Sequence, residues 1–282
     1  MDLSRPAPPH LTEALPDLAA WTAFCLAAPL PVMDDTALRL EELRAAEDAV
    51  DAHLIADAVA HDPLMTLKVL AYAATHRPAR VITDTETVTA TLVMMGITPF
   101  FRAFGPQPTI EQRLAESPEA LEGLNEVIRR AHRGATFALA FAVHRMDPDA
   151  PLIHEAALLH DFAEMLLWCH APVLALQIRA AQQADVTLRS AAIQKQVLGI
   201  ELHDLQQALM KAWRLPEMLR RISDDRHIEQ ANVRNVLLAV RLARHTAHGW
   251  DNAALPDDVA DIAALLNLSQ GSALQFVRSV ES

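Results

Sequence analysis

A histidine followed directly by an aspartate, His160 and Asp161, lies in the apolar run LLHDFAEMLLW from Leu158 to Trp168. The Leu, Phe, Met and Trp residues around the pair predict a buried helical segment. An imidazole and a carboxylate in such a setting cost several kcal/mol unless they are paired, hydrogen-bonded or bound to a metal ion. The run therefore predicts either a metal site or a polar cluster that compensates the two groups.

Three further histidines are candidates for the same site. His132 belongs to a predicted apolar helix face, which consists of Ile128, His132, Leu139 and Val143. His203 stands early in the helix predicted after Gly199, and His227 ends the segment ISDDRH beside two aspartates. Each of these alone is more typical of a satisfied core or surface histidine than of a ligand. Their recurrence on successive helices favours a shared site.

The composition predicts an all-α fold, so these residues should be positioned by helices. Hydrophobic residues make up 51% of the 282 residues, whereas aromatic residues make up 5% and glycine occurs only 7 times. Sheet proteins need more β-branched and aromatic residues and more glycine in their turns. Helix starts are predicted at Asp62-Pro63, Ser117-Pro118, Pro151, Pro172, Pro216 and Pro256, and helix ends at Gly96, Gly199 and Gly249.

The prolines also suggest how the chain is organised. Residues 1–15 contain three of them and predict a poorly ordered arm. The stretch Gly105-Pro106-Gln107-Pro108 predicts a boundary between an N-terminal helical half, residues 16–105, and a second helical half, residues 109–250. Further helices are predicted over residues 251–282.

The net charge of −12 argues against binding to nucleic acid or to an anionic membrane, because both need cations that neutralise phosphates. The sequence has no apolar run of the roughly 18 residues that a membrane span requires, and no signal-peptide pattern at the N-terminus. Cys25 and Cys169 lie in apolar helical surroundings and are expected to be buried thiols. We therefore expect a cytoplasmic protein.

Five segments, in order from about Leu30 to about Ala247, resemble the HDOD family, the HD-related output domain of bacterial signalling proteins. These segments are LPVMDDTALRLEEL, IADAVAHDPLMTLKVLAYA, TVTATLVMMGI, LLHDFAEMLL and VLGIELHDLQQALMKAWRLPEML. No single segment is specific, but five in the right order are. The resemblance implies a multi-helical HD-like bundle with an N-terminal helical subdomain.

The HDOD family is itself similar to the HD metal-dependent phosphohydrolases, and this implies a site. In those enzymes a His, a His-Asp pair and a distant Asp converge on a divalent metal such as Fe, Mn or Zn, which activates water and steadies phosphoryl oxygens. By this resemblance His132 matches the first His, and His160 with Asp161 matches the pair. His203 and His227 fall near the extra ligands of the two-metal HD-GYP branch.

Two positions depart from the enzyme pattern. Val240 occupies the place of the distant Asp, on a predicted apolar face made of Val233, Val236, Leu237 and Val240. Glu164 stands where HD-GYP enzymes carry a lysine that would contact the phosphate. At 4 Å and an effective dielectric near 20, one charge is worth about 4 kcal/mol, so the reversal changes the interaction by roughly twice that. Both departures argue against hydrolysis.

Three functions stay open at this point. The first is a non-catalytic regulatory protein that needs no cofactor, contacts other signalling proteins or its own copies, and keeps a degenerate metal site. In that case His160 would pair with Glu164, and His132 with Asp161, in a hydrogen-bonded cluster. The second is a metal-dependent phosphohydrolase acting on a nucleotide or cyclic dinucleotide. The third is a nucleotide-binding sensor without turnover.

Overall fold

The computed structural model describes residues 8–76, 86–185 and 187–281, and it confirms the predicted all-α fold. The helices are α1 (Leu18–Ala27), α2 (Asp34–Ala45), α3 (Ala52–Ala60), α4 (Pro63–Thr75), α5 (Val88–Met95), α6 (Ile97–Ala103), α7 (Ile110–Arg113), α8 (Pro118–His144), α9 (Ala150–Leu158), α10 (Phe162–His170), α11 (Pro172–Ala184), α12 (Ser190–Leu198), α13 (Leu202–Ala212), α14 (Glu217–Ile222), α15 (Ala231–His245), α16 (Leu255–Leu266) and α17 (Gln270–Ser279), with 3-10 turns at Glu47–Ala49 and Asp225–His227. Among the described residues, the one extended pairing is an isolated parallel bridge between Val32 and Thr109.

Several helices begin and end where the sequence predicts. Pro118 opens α8, and Gly199 ends α12 with the left-handed φ of 74°. A side chain at that φ would be strained, which explains why glycine stands there. Pro216 is a correction, since it is the residue before α14 and not its first helical residue.

Contacts between Cα atoms divide the chain into two units. The first contains the described residues up to Val127 together with Asp161–Leu215, and the second contains Ile128–His160 together with the described residues from Pro216 onward. The chain passes between units within α8, between His160 and Asp161, and after Leu215. The segment 105–108, predicted from its prolines as a boundary, falls inside the first unit. Of the predicted N-terminal arm, residues 1–7 lie outside the described residues.

The first unit is organised around the fully buried carboxylate of Asp62. Its Oδ1 accepts the backbone N–H groups of Leu64 and Met65 at the start of α4, and its Oδ2 accepts the N–H of Met33 before α2. Pro63 takes the first helical position, as predicted. One side chain therefore caps α4 and also fixes the start of α2.

The segment between α6 and α7 is attached to the same region. Lys68 of α4 is 1% exposed, and its Nζ donates to Oε1 of Gln107 at 2.6 Å. The N–H of Val32 donates to the carbonyl of Pro108, and the N–H of Ile110 donates back to Val32. These bonds hold the proline-rich segment against α4 and the residues before α2.

In the second unit, α8 buries a face that the sequence predicted only in part, since Ile128 is buried as expected. Leu139 is 36% exposed and Val143 is 62% exposed, although both belong to the predicted apolar face, and His132 is half-buried. The buried face consists mainly of small residues and two aromatic ones: Ala131, Gly134, Ala135, Phe137, Ala138, Phe141 and Ala142. Small residues are buried here because α15 approaches α8 closely, as described below.

The last helices complete the second unit. The Phe276 ring of α17 lies 6.3 Å from the Phe141 ring and 5.3 Å from the His144 ring, both on α8. Arg133 of α8 forms an ion pair with Glu281, with Nη2 and Oε1 2.6 Å apart. The C-terminal helices are therefore part of the core of this unit.

Candidate functional site

The sequence predicted that His160 and Asp161 lie within one helix. In the structure they lie in the turn between two helices. The preceding helix α9 ends at Leu158, and α10 begins at Phe162 with Asp161 at its N-cap position. No Gly or Pro marks this turn in the sequence.

The turn brings the His160 ring to an acid that the sequence did not pair with it. His160 is 8% exposed, and its Nε2 lies 3.3 Å from Oδ1 of Asp225, in the 3-10 turn before α15. Glu164, the partner predicted from helical spacing, is in the first turn of α10, whereas His160 lies outside that helix. The premise of that predicted pairing, a shared helix face, is therefore wrong.

His132 of α8 lies near a histidine that was judged incidental from the sequence. His154 of α9 is close enough for the charge of His132 to lower its pKa, although burial contributes more to the lowering. Both effects favour the neutral imidazole of His154. No spacing in the sequence indicated this neighbour, because the two residues belong to different helices.

Val240 packs where the resemblance to HD enzymes places the distant aspartate. It is 4% exposed on α15, and Val233 and Val236 of the same predicted face are fully buried, as expected. A Cβ built at Gly134 of α8 would lie 3.4 Å from Cγ2 of Val240 and 3.5 Å from its Cα. The backbone of α8 at Gly134 therefore packs directly against the aliphatic side chain of Val240 on α15.

The remaining candidates lie on separate elements. Asp161 and Glu164 are at the start of α10, and His203 is the second residue of α13, where it is half-buried. His227 is different, since its side chain is 50% exposed and its ring nitrogens lie 3.9 Å from Asp224 and 3.5 Å from a glutamate. An exposed ring between acids is typical of a surface ion pair.

We tested whether the side chains fit a metal ion. Within residues 8–76, 86–185 and 187–281, no group of three or more His, Cys, Asp or Glu side chains is arranged to hold one. Val240 offers no ligand atom, and Nε2 of His160 faces the carboxylate of Asp225. The described residues do not fit the metal centre of an HD hydrolase, and we derive no reaction step through a metal.

The family of the chain follows from its sequence as a whole. The family model of the HDOD domain matches residues 30–228. The chain belongs to the HDOD family. The HDOD match contains His132, His160, Asp161, His203 and His227, and it ends before α15, which carries Val240.

Two solved structures share the fold of this chain. The MmoQ response regulator from Methylococcus capsulatus strain Bath is 17% identical, with a TM-score of 0.66 over 89% of this chain and 99% of that chain. A virulence factor from Campylobacter jejuni subsp. jejuni is 16% identical, with a TM-score of 0.63 over 94% of this chain and 98% of that chain. At these identities the likeness shows the fold alone. A comparison with curated protein sequences gives no significant match.

Two further expectations from the sequence can be compared with the described helices. Cys25 and Cys169 are buried free thiols, as predicted. None of the helices in the part of the chain that the structure describes has both the length and the apolar character to cross a bilayer.

Proposed function

We propose that this HDOD protein is a non-catalytic regulatory protein, which acts in signal transduction through contacts with other proteins. The main support is Val240, an aliphatic side chain packed against Gly134 at the place where the resemblance implies a metal-binding carboxylate. The resemblance implies two carboxylates at the metal, Asp161 and the distant Asp, and with Val240 in place of the second only Asp161 remains.

The pairing of His160 with Asp225 supports the same proposal. Nε2 of His160 has Oδ1 of Asp225 at 3.3 Å as a partner within the protein. The pair compensates the buried imidazole without any ion. The degenerate site then serves the fold, and the output of the protein must come from its surface.

The solved structures add support by analogy. One neighbour is named a response regulator, which agrees with a role in signalling, and the other is named a virulence factor. The net charge of −12 also agrees with protein partners and not with nucleic acid. Fold analogy alone does not establish function, so the proposal needs a biochemical and a genetic test.

The biochemical test measures bound metal and turnover. Protein purified without chelator is analysed for Fe, Mn and Zn, and its hydrolysis of bis(p-nitrophenyl) phosphate and of cyclic dinucleotides is compared with that of His160→Gln. We expect substoichiometric metal and no turnover above the variant. Stoichiometric metal with turnover that disappears in His160→Gln would reinstate the hydrolase.

The genetic test asks whether regulation survives loss of the candidate ligands. The gene is deleted in the organism that encodes it, and the changed transcript profile is complemented with wild type or with His160→Gln. Glutamine keeps a donor for Asp225 but is a poor metal ligand. We expect equal complementation at equal protein levels. Complementation by wild type only would contradict a non-catalytic role.

A further inference from the structure

Three basic side chains of the first unit lie together where the N-terminal segment meets the end of α10. The N–H of Leu11 donates to the carbonyl of His170 at 2.8 Å, and Nε of Arg113 donates to the carbonyl of Cys169 at 3.1 Å. Arg113 and His10 are both close enough to His170 to lower its pKa, after the larger effect of burial. We call His10, Arg113 and His170 the basic cluster.

The basic cluster contains four buried nitrogen atoms without a hydrogen-bond partner among the residues that the structure describes. They are Nε2 of His10, Nη2 of Arg113, and both Nδ1 and Nε2 of His170. His170 is only 2% exposed, so water from the surface does not reach its ring freely. The Pro29 carbonyl lies near enough to raise the pKa of His170, but neither ring nitrogen has hydrogen-bond geometry to it. Buried polar atoms are nearly always paired, so four unpaired nitrogens in one place indicate a missing partner, to which the neutral ring of His170 can donate from one of its two nitrogens.

The charges around the basic cluster define that partner. The guanidinium of Arg113 is always positive, and within the described ranges it has no carboxylate in ion-pair distance. Glu116 acts on His10 only, as the smallest of the effects on its pKa. Helix α11 begins at Pro172, and its N-terminus carries the positive end of the helix dipole. The preceding residue, Ala171, has only a methyl side chain and cannot cap this N-terminus. Arg113 therefore supplies a fixed positive charge and N–H donors, while burial and, to a smaller extent, the carboxylates of Asp62 and Glu111 raise the pKa of the neighbouring Cys169.

We propose that the basic cluster is a binding site for one small oxyanion, of the phosphate or carboxylate type. Oxyanions accept several short hydrogen bonds from guanidinium, imidazole and backbone N–H groups at once. A metal cation would also suit neutral imidazoles, but the fixed charge of Arg113 repels it. The bound anion would join the N-terminal segment at His10 to the junction of α10 and α11 at His170. This site is independent of the degenerate metal site and of the regulatory role proposed above.

Calorimetric titration of the full chain tests the proposal. Inorganic phosphate and acetate are titrated separately, in HEPES near pH 7 at constant ionic strength, because the net charge of −12 makes the protein sensitive to salt screening. We expect one saturable site per chain, and the tighter of the two ligands identifies the oxyanion class. Absence of binding for both ligands up to about 50 mM would overturn the proposal, since a site with a Kd near 1 mM would be nearly saturated there.

Matched arginine variants locate the site. Arg113→Gln should weaken the binding about tenfold or more, because a charge-assisted hydrogen bond is lost. Arg44→Gln is the control, since Arg44 is also partly buried in the first unit but donates to the carbonyls of Phe101 and Phe104. The control should keep the affinity of the wild type. Equal affinities in wild type and Arg113→Gln would overturn the proposal.

A measurement on the unmodified chain covers the case in which Arg113→Gln does not fold. Histidine side chains are labelled with nitrogen-15, and their NMR signals are followed during the same titrations. The ring signals of His10 and His170 should move and saturate with the calorimetric Kd, whereas the exposed His53 of α3 should not respond. Calorimetric binding without movement at His10 and His170 would place the anion elsewhere and overturn the proposal.

Discussion

Nε2 of His160 and Oδ1 of Asp225 lie 3.3 Å apart, although 65 residues separate them in the sequence. The first belongs to the turn before α10 and the second to the 3-10 turn before α15. Neither turn contains a regular helix that would fix its side chains, so the pair itself ties the two turns together. The contact is therefore expected to contribute to the stability of the second unit.

Replacing the acid of this pair tests that expectation. Asp225→Ala should lower the free energy of unfolding by about 1 to 2 kcal/mol, because the nearly buried His160 loses a hydrogen bond to a charged group. Urea denaturation monitored by circular dichroism measures the change. The control is Asp251→Ala, an exposed acid of the same unit. A loss no larger than that of the control would show that the pair adds nothing to stability.

The buried and the exposed helix caps of the first unit should differ in strength. Asp62→Ala is expected to cost about 2 to 4 kcal/mol, since two buried N–H groups and one partly buried N–H group lose their acceptor. Asp51→Ala removes a comparable cap, which accepts only the N–H of Leu54 at an exposed position, and should cost about 1 kcal/mol. Chemical denaturation of both variants in parallel gives the comparison. Equal losses would contradict the central role of Asp62.

Two glycines of α8 should respond to alanine with opposite signs. A Cβ at Gly123 would lie 2.5 Å from Cη2 of the Trp168 indole, so Gly123→Ala should destabilise by about 1 to 3 kcal/mol through overpacking. At Gly134 the nearest atom, Cγ2 of Val240, is 3.4 Å away, and Gly134→Ala should be neutral or gain up to about 1 kcal/mol of helix propensity. Thermal and urea unfolding of the two variants measure the signs. A stabilising Gly123→Ala would contradict the described packing of α8 against Trp168.

The buried imidazole of His170 predicts a loss of stability in acid. Burial, followed by the charges of Arg113 and His10, lowers the pKa of His170 from 6.5 to about 3. Between pH 6.5 and pH 3 the imidazole of His170 is protonated in the unfolded chain but neutral in the folded chain. The free energy of unfolding that is present above pH 6.5 is therefore lost as the pH falls toward 3. From about pH 7 to about pH 5 this residue should account for about 2 kcal/mol.

Unfolding measured in urea at both pH values checks this prediction. MES and HEPES buffers are used so that neither phosphate nor acetate is present. The pH dependence of His170→Gln should be smaller than that of the wild type by the stated amount. His53→Gln, a change at an exposed position of α3, is the matched control. If the wild type and His170→Gln lose the same stability on acidification, the imidazole of His170 is not held neutral by burial.

The parts of the fold that the sequence predicts are those with local signals. Asp62-Pro63 and Gly199 each determine the backbone of their own residues, and the helices begin and end there. The buried face of α8 was predicted correctly at Ile128 but wrongly at Leu139 and Val143, because hydrophobicity favours large apolar residues. Because α15 lies close to α8 at Gly134, only small residues fit in the interface there. That restriction depends on the tertiary contact and leaves no periodic signal.

The candidate site was predictable only in its residue types. The turn at His160 has no Gly or Pro, so the helical interpretation was the natural one, and it placed His160 and Glu164 on one helix although His160 lies outside α10. The partnership of His160 with Asp225 depends on how distant turns meet in the fold. The proximity of His154 to His132 has the same origin. Neither contact can be predicted from residue spacing along one helix, because each joins residues on different elements.

The indole of Trp21 in α1 donates to the carbonyl of Leu198 at 3.1 Å and is 2% exposed, and at the other end Phe276 of α17 packs beside Phe141. Both contacts use residues outside the range 30–228 that defines the family. A fragment trimmed to that range would lose Trp21 and Phe276 from the two hydrophobic cores. The apolar surfaces exposed at both ends would favour aggregation. A fragment intended to fold should therefore keep the flanking helices and be trimmed only outside them.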